Sequence, residues 1–134
     1  MNEARRALRV TCAVIIDGDR VLVTQRGEGM KMPLKWEFPG GKVEDGEKDE
    51  ACLQRELREE LDISVQVIRP LPEQRFSYPE FDITLVPFLV RISEGEIHLR
   101  EHKAFRWLTR GELMTLDWAE ADVPVLKEFL STAY

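Results

Sequence analysis

One segment in the first half of the chain combines a leucine stripe with a cluster of acidic residues. Between Glu47 and Leu61, leucines recur at every fourth position, a spacing that places them on one face of a helix. Glu56, Glu59 and Glu60 are spaced i, i+3 and i+4, so the same helix gathers their carboxylates into one patch. The segment therefore predicts a helix that packs on a core through its leucines and presents acidic groups beside that core.

The acidic patch is better suited to binding a metal ion than to facing water alone. Like charges at these spacings cost a helix about 0.2–0.5 kcal/mol per pair, a loss that a divalent cation would reverse. A solvated helix face, tempered by Arg55 and Arg58, is the ordinary alternative. The upstream run Phe38-Pro39-Gly40-Gly41-Lys42 favours the metal site, because a Gly-Gly loop lets backbone groups approach a ligand or ion closely.

The residues from Gly41 to Ile63 follow the pattern of a known family. They read G-x5-E-x7-R-E-L-x-E-E-x-D-I, which resembles the Nudix box of the Nudix hydrolases, G-x5-E-x7-R-E-U-x-E-E-x-G-U with U aliphatic. Asp62 stands where the family has glycine, at the predicted end of the helix. That position favours a left-handed backbone, which Asp tolerates better than most residues, so we expect the turn to be kept.

The rest of the chain predicts strands before, between and after helices. Asp17-Gly18 marks a hairpin turn between two apolar segments, residues 27–35 form a loop, and residues 63–68, 76–92 and 103–108 are strand-like. An amphipathic helix is expected over 122–129. This order indicates an α+β fold, a mixed α/β sandwich. The resemblance implies its Nudix version, a mixed curved sheet between helices.

Length and composition limit the partners. A chain of 134 residues with 43% hydrophobic content predicts a single domain, here a Nudix hydrolase domain over 1–134. The net charge of −6 argues against binding to nucleic-acid polymers but allows a small phosphate ester. No apolar run approaches the ~20 residues of a membrane span, so we expect no membrane partner and a cytoplasmic location. Cys12 and Cys52 lack zinc-site spacing and are expected to be buried reduced thiols. The chain is expected to be a monomer or a homodimer.

The resemblance also implies roles for the residues in and around the box. The expected ligands of Mg²⁺, with Mn²⁺ as an alternative, are Gly40 through its carbonyl, Glu56, Glu59, Glu60 and Glu101. The four glutamates are also the expected catalytic residues, with Glu56 the first candidate for the general base. Glu101 lies where MutT-type enzymes carry an additional glutamate, although a surface loop residue is the alternative. Glu47 and Arg55 are expected to pair behind the ligands and hold them.

The expected substrate contacts lie outside the acidic patch. Arg26 and Lys42 are candidates for contacts to phosphate or sugar, while Phe38, Tyr78 and Phe81 either stack on the base or belong to the core. Asp122 stands where MutT enzymes that act on oxidised guanine nucleotides carry a base-reading asparagine. An ionised carboxylate only accepts hydrogen bonds and suits the N4 amine of cytosine, whereas a carboxyl of raised pKa could also donate. Asp122 is also an N-cap candidate. His98 and His102 show no partner in the sequence and are interpreted as ordinary surface or packing residues.

The function implied by the resemblance is magnesium-dependent pyrophosphohydrolysis. Water would add at the β-phosphorus of a nucleoside triphosphate, releasing the monophosphate and pyrophosphate, with CTP, dCTP or 5-substituted dCTP as the expected substrate. The alternatives are removal of 8-oxo-dGTP from the nucleotide pool and cleavage of nucleotide sugars or dinucleoside polyphosphates. A fourth alternative, from another class, is a nucleotide-binding Nudix module that does not hydrolyse its ligand.

Overall fold

The computed structural model describes residues 5–132, in which eight β-strands and three α-helices form. In chain order they are β1 (Arg6–Asp17), β2 (Arg20–Gln25), β3 (Trp36–Glu37), β4 (Gly40–Lys42), α1 (Asp49–Leu61), β5 (Ser64–Pro70), β6 (Gln74–Ser77), β7 (Phe81–Glu94), β8 (Ala104–Thr109), α2 (Arg110–Leu113) and α3 (Val123–Leu130). A short 3-10 helix, Glu120–Asp122, precedes α3. The predicted domain spans 1–134, so its first four and last two residues lie outside the described part.

The strands form one sheet with both parallel and antiparallel neighbours. Strand β1 runs parallel to β7, with residues 6–15 opposite residues 81–90. The other edge of β1 pairs antiparallel with β4 and then with β2, which carries β3 and β8. Strands β5 and β6 pair antiparallel with the far edge of β7. The prediction of a mixed sheet is confirmed.

Each face of the sheet is covered by a helix. On one face, the leucine stripe of α1 packs with alternate residues of β1; these buried residues include Leu53, Leu57, Leu61, Ala13 and Ile15. On the other face, α3 packs with the residues of β1 that point the opposite way; these include Val125, Phe129, Cys12 and Val14. Burying each large side chain contributes about 1.5–3 kcal/mol. The sheet therefore lies between helices, as the resemblance to the Nudix hydrolases implies.

Two turns adopt the backbone conformations that the sequence predicts. Gly18 has φ +61° in the β1–β2 hairpin turn. Asp62 ends α1 in the left-handed conformation, with φ 61° and ψ 35°, as expected for the position where the family pattern has glycine. Helix α1 begins at Asp49 rather than at Glu47, because the N–H of Glu47 bonds to the carbonyl of Glu44 in a turn that precedes the helix.

Two further expectations concern thiols and membranes. Cys12 and Cys52 are both free and buried, which confirms their predicted burial. Within residues 5–132, no helix has the length and apolar character needed to cross a membrane.

Candidate active site

Strand β4 places Gly40 beside the edge of β1 and Gly41 beside the Glu56 side chain of α1. A Cβ at Gly40 would lie 1.9 Å from the carbonyl oxygen of Thr11, so only glycine allows this strand pairing. A Cβ at Gly41 would lie 2.1 Å from the carboxyl carbon of Glu56. The two glycines therefore do different things: one lets the backbone join the sheet, and the other leaves room for an acidic side chain.

Arg55 is the centre of an ion-pair network on α1. Its Nε donates to Glu47 Oε2 at 2.8 Å, and its Nη1 donates to Glu56 Oε1 at 2.9 Å and to Glu59 Oε2 at 3.3 Å. Its Nη2 donates to the carbonyl of Lys42 at 3.1 Å. Arg55 and the backbone N–H of Glu44 lower the pKa of Glu47 to about 2. The guanidinium thus ties α1 to the loop that precedes it.

The four predicted catalytic glutamates are placed differently. Glu56 and Glu60 line the same cavity. Glu59 points toward Arg55, and its side chain is 60% exposed. Glu101 lies on the exposed loop before β8, near enough for its charge to raise the pKa of Glu60. The structure therefore brings Glu56 and Glu60 together, with Glu101 in their neighbourhood and Glu59 outside the cavity wall.

Glu60 lacks the partners that a buried carboxylate needs. Its Oε2 is buried and has no hydrogen-bond partner among residues 5–132. Burial, followed by the charges of Glu56, Glu37 and Glu101, raises the pKa of Glu60 to about 8. Burial also raises the pKa of Glu56. Positive charge is therefore missing at this point of the protein.

The missing charge fits a hard divalent cation. Carboxylate and carbonyl oxygens are the ligands that Mg²⁺ and Mn²⁺ prefer, and here two clustered carboxylates include an oxygen without a partner. As the side chains are placed, no three His, Cys, Asp or Glu residues in the described 128 positions (5–132) meet closely enough to hold an ion. Glu56 and Glu60 are the pair around which such a site would assemble, and Gly40, Glu59 and Glu101 stay predicted ligands.

A cavity of about 390 Å³ opens beside these carboxylates. All six candidate substrate contacts line it, namely Arg26, Phe38, Lys42, Tyr78, Phe81 and Asp122. Its volume is in the range of small-molecule sites, ~300–1,000 Å³. The acidic pair, Asp122 and the aromatic side chains thus line one cavity.

Asp122 is a buried residue of the cavity wall. Its Oδ2 accepts a hydrogen bond from the backbone N–H of Phe38 at 2.9 Å. The N-cap prediction is right about position and wrong about the bond, because α3 begins directly after Asp122 but the side chain makes no capping bond. Burial, and then the charge of Glu37, raises the pKa of Asp122 well above its ordinary value. The carboxyl is consequently able to donate as well as to accept.

The aromatic candidates divide between core and cavity. Phe38 is 2% exposed, and its ring centroid lies 4.8 Å from that of Trp118, so most of its surface belongs to the core. The hydroxyl of Tyr78 donates to Met32 Sδ and accepts from the N–H of Ala121, both at 3.2 Å. Phe81 lies against Tyr78, with ring centroids 5.0 Å apart. Tyr78 therefore joins the loop after β2 to the segment before α3.

Two residues of this region were missed by the sequence reasoning. Glu37 Oε1 accepts from Arg26 Nη1 at 2.7 Å, and Glu37 Oε2 lies 2.8 Å from His102 Nε2. The sequence shows no partner for His102, whereas in the structure Glu37 is its partner. His98 is exposed as expected, but it too has a partner, since its Nδ1 lies 3.4 Å from Asp62 Oδ2. A sequence signal for Glu37 existed: it is an acidic residue between two aromatic residues, Trp36 and Phe38, and it lies two positions before the Pro-Gly-Gly run.

Comparison with known proteins gives consistent matches. The NUDIX domain family matches residues 5–129. The 8-oxo-dGTP diphosphatase of Escherichia coli K12 is 34% identical over 82% of this chain and 85% of its own length. The CTP pyrophosphohydrolase of the same organism is 32% identical over 94% of this chain and 93% of its own. The solution structure of the E. coli ORF135 protein superposes with a TM-score of 0.82 at 30% identity, covering 95% of this chain and 91% of that one.

Proposed function

This chain belongs to the Nudix hydrolase family, and we propose that it is a magnesium-dependent pyrophosphohydrolase that prefers cytidine triphosphates. Members of the family act on small nucleotides and generally use divalent cations, and this chain is a hydrolase of nucleoside triphosphates. The proposal adds the metal, the products and the base. Its products are the nucleoside monophosphate and pyrophosphate.

The observation that carries the proposal is the acidic pair at one end of the cavity. Glu56 and Glu60 are held side by side without enough positive charge, and one oxygen of Glu60 has no hydrogen-bond partner within residues 5–132. Such a pair is costly in an apo protein and becomes favourable when a cation binds. Hydrolysis of a phosphoanhydride needs that same positive charge to balance the phosphate oxygens.

The remaining chemistry can be assigned to side chains of this chain. When bound, Mg²⁺ supplies charge neutralisation at the phosphates and lowers the pKa of a coordinated water. Glu56 accepts the proton of the attacking water, while Arg55 fixes the Glu56 carboxylate through Nη1. Arg26 and Lys42 contact the phosphates or the sugar from the cavity wall. Water then adds at the β-phosphorus, and the monophosphate leaves.

Support for the base comes from Asp122 and from one relative. One oxygen of Asp122 already accepts from Phe38, which leaves the other for the base. In ionised form that oxygen accepts from the N4 amine of cytosine. The relative that covers most of both chains is named a CTP pyrophosphohydrolase.

The raised pKa of Asp122 favours a second candidate, 8-oxo-dGTP. A protonated Asp122 presents a donor, and an oxidised guanine offers acceptors to it. A 34% identical relative is named an 8-oxo-dGTP diphosphatase.

The test is a substrate panel with two variants. Pyrophosphate release is measured with Mg²⁺ on CTP, dCTP, 5-methyl-dCTP, dGTP and 8-oxo-dGTP, and AMP formation is measured on ADP-ribose. Glu56→Gln should abolish turnover, whereas Glu50→Gln, at an exposed position on the same helix, should not. Absence of turnover on every compound, with nucleotide binding retained, would instead indicate a module that binds without hydrolysis.

Asp122→Asn separates the two bases. Asparagine keeps an acceptor for the Phe38 N–H and permanently presents an amide donor. If an ionised Asp122 reads cytosine, kcat/KM for CTP should fall about 10- to 100-fold in this variant. If a protonated Asp122 donates to 8-oxoguanine, kcat/KM for 8-oxo-dGTP should change little.

A further inference from the structure

His102 is a buried polar residue that stands behind the cavity wall. Its side chain is 1% exposed, and its Nε2 lies 2.8 Å from Glu37 Oε2. Its other ring nitrogen, Nδ1, is buried and has no hydrogen-bond partner within the described part of the chain. For packing alone, an apolar side chain of similar size would be more favourable here, because an unpaired buried nitrogen costs free energy. The bond to Glu37 is therefore what histidine adds at this position.

Glu37 links His102 to a residue of the cavity. Its two carboxylate oxygens are each occupied, Oε2 by His102 and Oε1 by Arg26 Nη1 at 2.7 Å. Because a carboxylate only accepts, the proton of the contact with His102 lies on Nε2. Glu37 and Arg26 line the cavity, whereas His102 stands outside its lining. A chain of two hydrogen bonds thus runs from the buried imidazole to a guanidinium that faces the ligand space.

The position of Glu37 needs this support, because other acids surround it. Its charge is among those that raise the pKa values of Glu60 and Asp122, so repulsion would turn an unrestrained Glu37 away from both. The backbone near His102 is held as well, since the N–H of Lys103 donates to the carbonyl of Gln25 at 2.9 Å. The imidazole is therefore presented from a fixed point beside Arg26.

We propose that His102 is a positioning residue for nucleotide binding: it holds Glu37, and Glu37 in turn holds the Arg26 guanidinium in the orientation that contacts the nucleotide. The inference rests on the proposed function for its kinetic consequence, but the chain from His102 through Glu37 to Arg26 is a property of the protein without ligand. His102 acts as a hydrogen-bond donor through Nε2.

The first test needs no nucleotide. The side-chain Nε–H of Arg26, which donates to the carbonyl of Lys31, is followed by ¹⁵N–¹H NMR in the wild-type protein, His102→Leu and His102→Gln. Leucine removes the donor, and glutamine restores an N–H near the place of Nε2. We expect the Arg26 signal to shift or broaden in His102→Leu and to stay in His102→Gln. An unchanged signal in His102→Leu overturns the proposal.

The second test separates positioning from a general effect on folding. With the preferred nucleotide, His102→Leu should raise KM about 10- to 100-fold, change kcat less than about threefold, and leave Mn²⁺ affinity unchanged. The KM of His102→Gln should lie close to that of the wild-type protein. His98→Gln, at the exposed histidine, is the matched control and should behave as the wild type.

The third test is a double-mutant cycle with His102→Leu and Arg26→Ala. If His102 acts through Arg26, then His102→Leu should add no further rise in KM to an Arg26→Ala protein. The proposal would be overturned if His102→Leu raised KM by the same factor in the wild-type and Arg26→Ala proteins. It would also be overturned if His102→Leu lowered kcat by as large a factor as it raised KM. A wild-type protein that turns over no nucleotide would refute the proposed function, while the ligand-free Arg26 signal would still decide the role of His102.

Discussion

The uncompensated charge of Glu60 predicts that replacing it by glutamine stabilises the metal-free protein at high pH. The pKa of Glu60 is raised from 4.5 to about 8, chiefly by burial. The folded protein therefore binds a proton that the unfolded chain releases, and stability is lost as pH rises from about 4.5 to about 8. Below that window the unfavourable contribution disappears, because the carboxyl is protonated in both states.

The size of the effect follows from the same values. At about 1.36 kcal/mol for each tenfold change in proton affinity, a rise from 4.5 to about 8 corresponds to at most ~5 kcal/mol. Rearrangement and water entry at a partly exposed group reduce this, so we expect Glu60→Gln to raise the free energy of unfolding by about 2–4 kcal/mol at pH 8.5. At pH 5.0 the difference from the wild type should be under about 1 kcal/mol.

Urea unfolding in EDTA at the two pH values measures the effect, with Glu50→Gln as the control on the same helix. Saturating Mg²⁺ should stabilise the wild-type protein at pH 8.5 and stabilise Glu60→Gln far less, since the cation then lacks one carboxylate. A Glu60→Gln protein that is less stable than the wild type in EDTA at pH 8.5 would refute the reasoning. That result would mean that Glu60 is ionised and fully partnered in the apo protein.

Four further substitutions test other parts of the structure. Gly41→Ala should keep the fold but lower kcat at least ~100-fold, because its methyl group displaces the Glu56 carboxyl. Gly40→Ala should lower the thermal midpoint severely, because its methyl group meets backbone atoms. Circular dichroism and turnover together distinguish the two variants. Arg55→Met should lower kcat about 10- to 100-fold in steady-state assays without a matching loss of stability. Asp62→Gly should raise the free energy of unfolding by about 0.5 kcal/mol, measured in urea, because glycine accepts the left-handed backbone without strain.

The helix and its surroundings could be predicted because their signals are local. The leucine spacing of α1, the Asp17-Gly18 turn and the left-handed end at Asp62 each depend on residues within a few positions of one another. The same holds for the pairing of Glu47 with Arg55, which the family resemblance implied and which the structure contains. Composition and periodicity alone would not have supplied the parallel pairing of β1 with β7, because it joins segments about 75 residues apart.

Most of the contacts that sequence reasoning missed are long-range. Glu37 and His102 are 65 positions apart, and the residues around each of them give no indication that the two side chains meet. Asp122 is an N-cap candidate in the sequence because it directly precedes a predicted helix, yet its carboxylate accepts a hydrogen bond from Phe38, 84 positions away. The outward direction of Glu59 depends on where Arg55 points, which spacing on a helix does not determine.

The cavity is assembled from two separate sets of segments, and this arrangement bears on how its specificity can change. The two carboxylates and the two glycines come from β4 and α1, whereas a second set of lining residues comes from the loop after β2, Tyr78 and the residues just before α3. Strands β1 and β7 supply further lining residues. Substitutions in the second set leave the glutamates and glycines of the first untouched. If Asp122 reads the base as proposed, a lineage with this scaffold can exchange one preferred base for another by a few replacements near Asp122, while Glu56 and Glu60 stay in place. Relatives of similar identity that carry the names of different nucleotide substrates are the expected outcome of such a division.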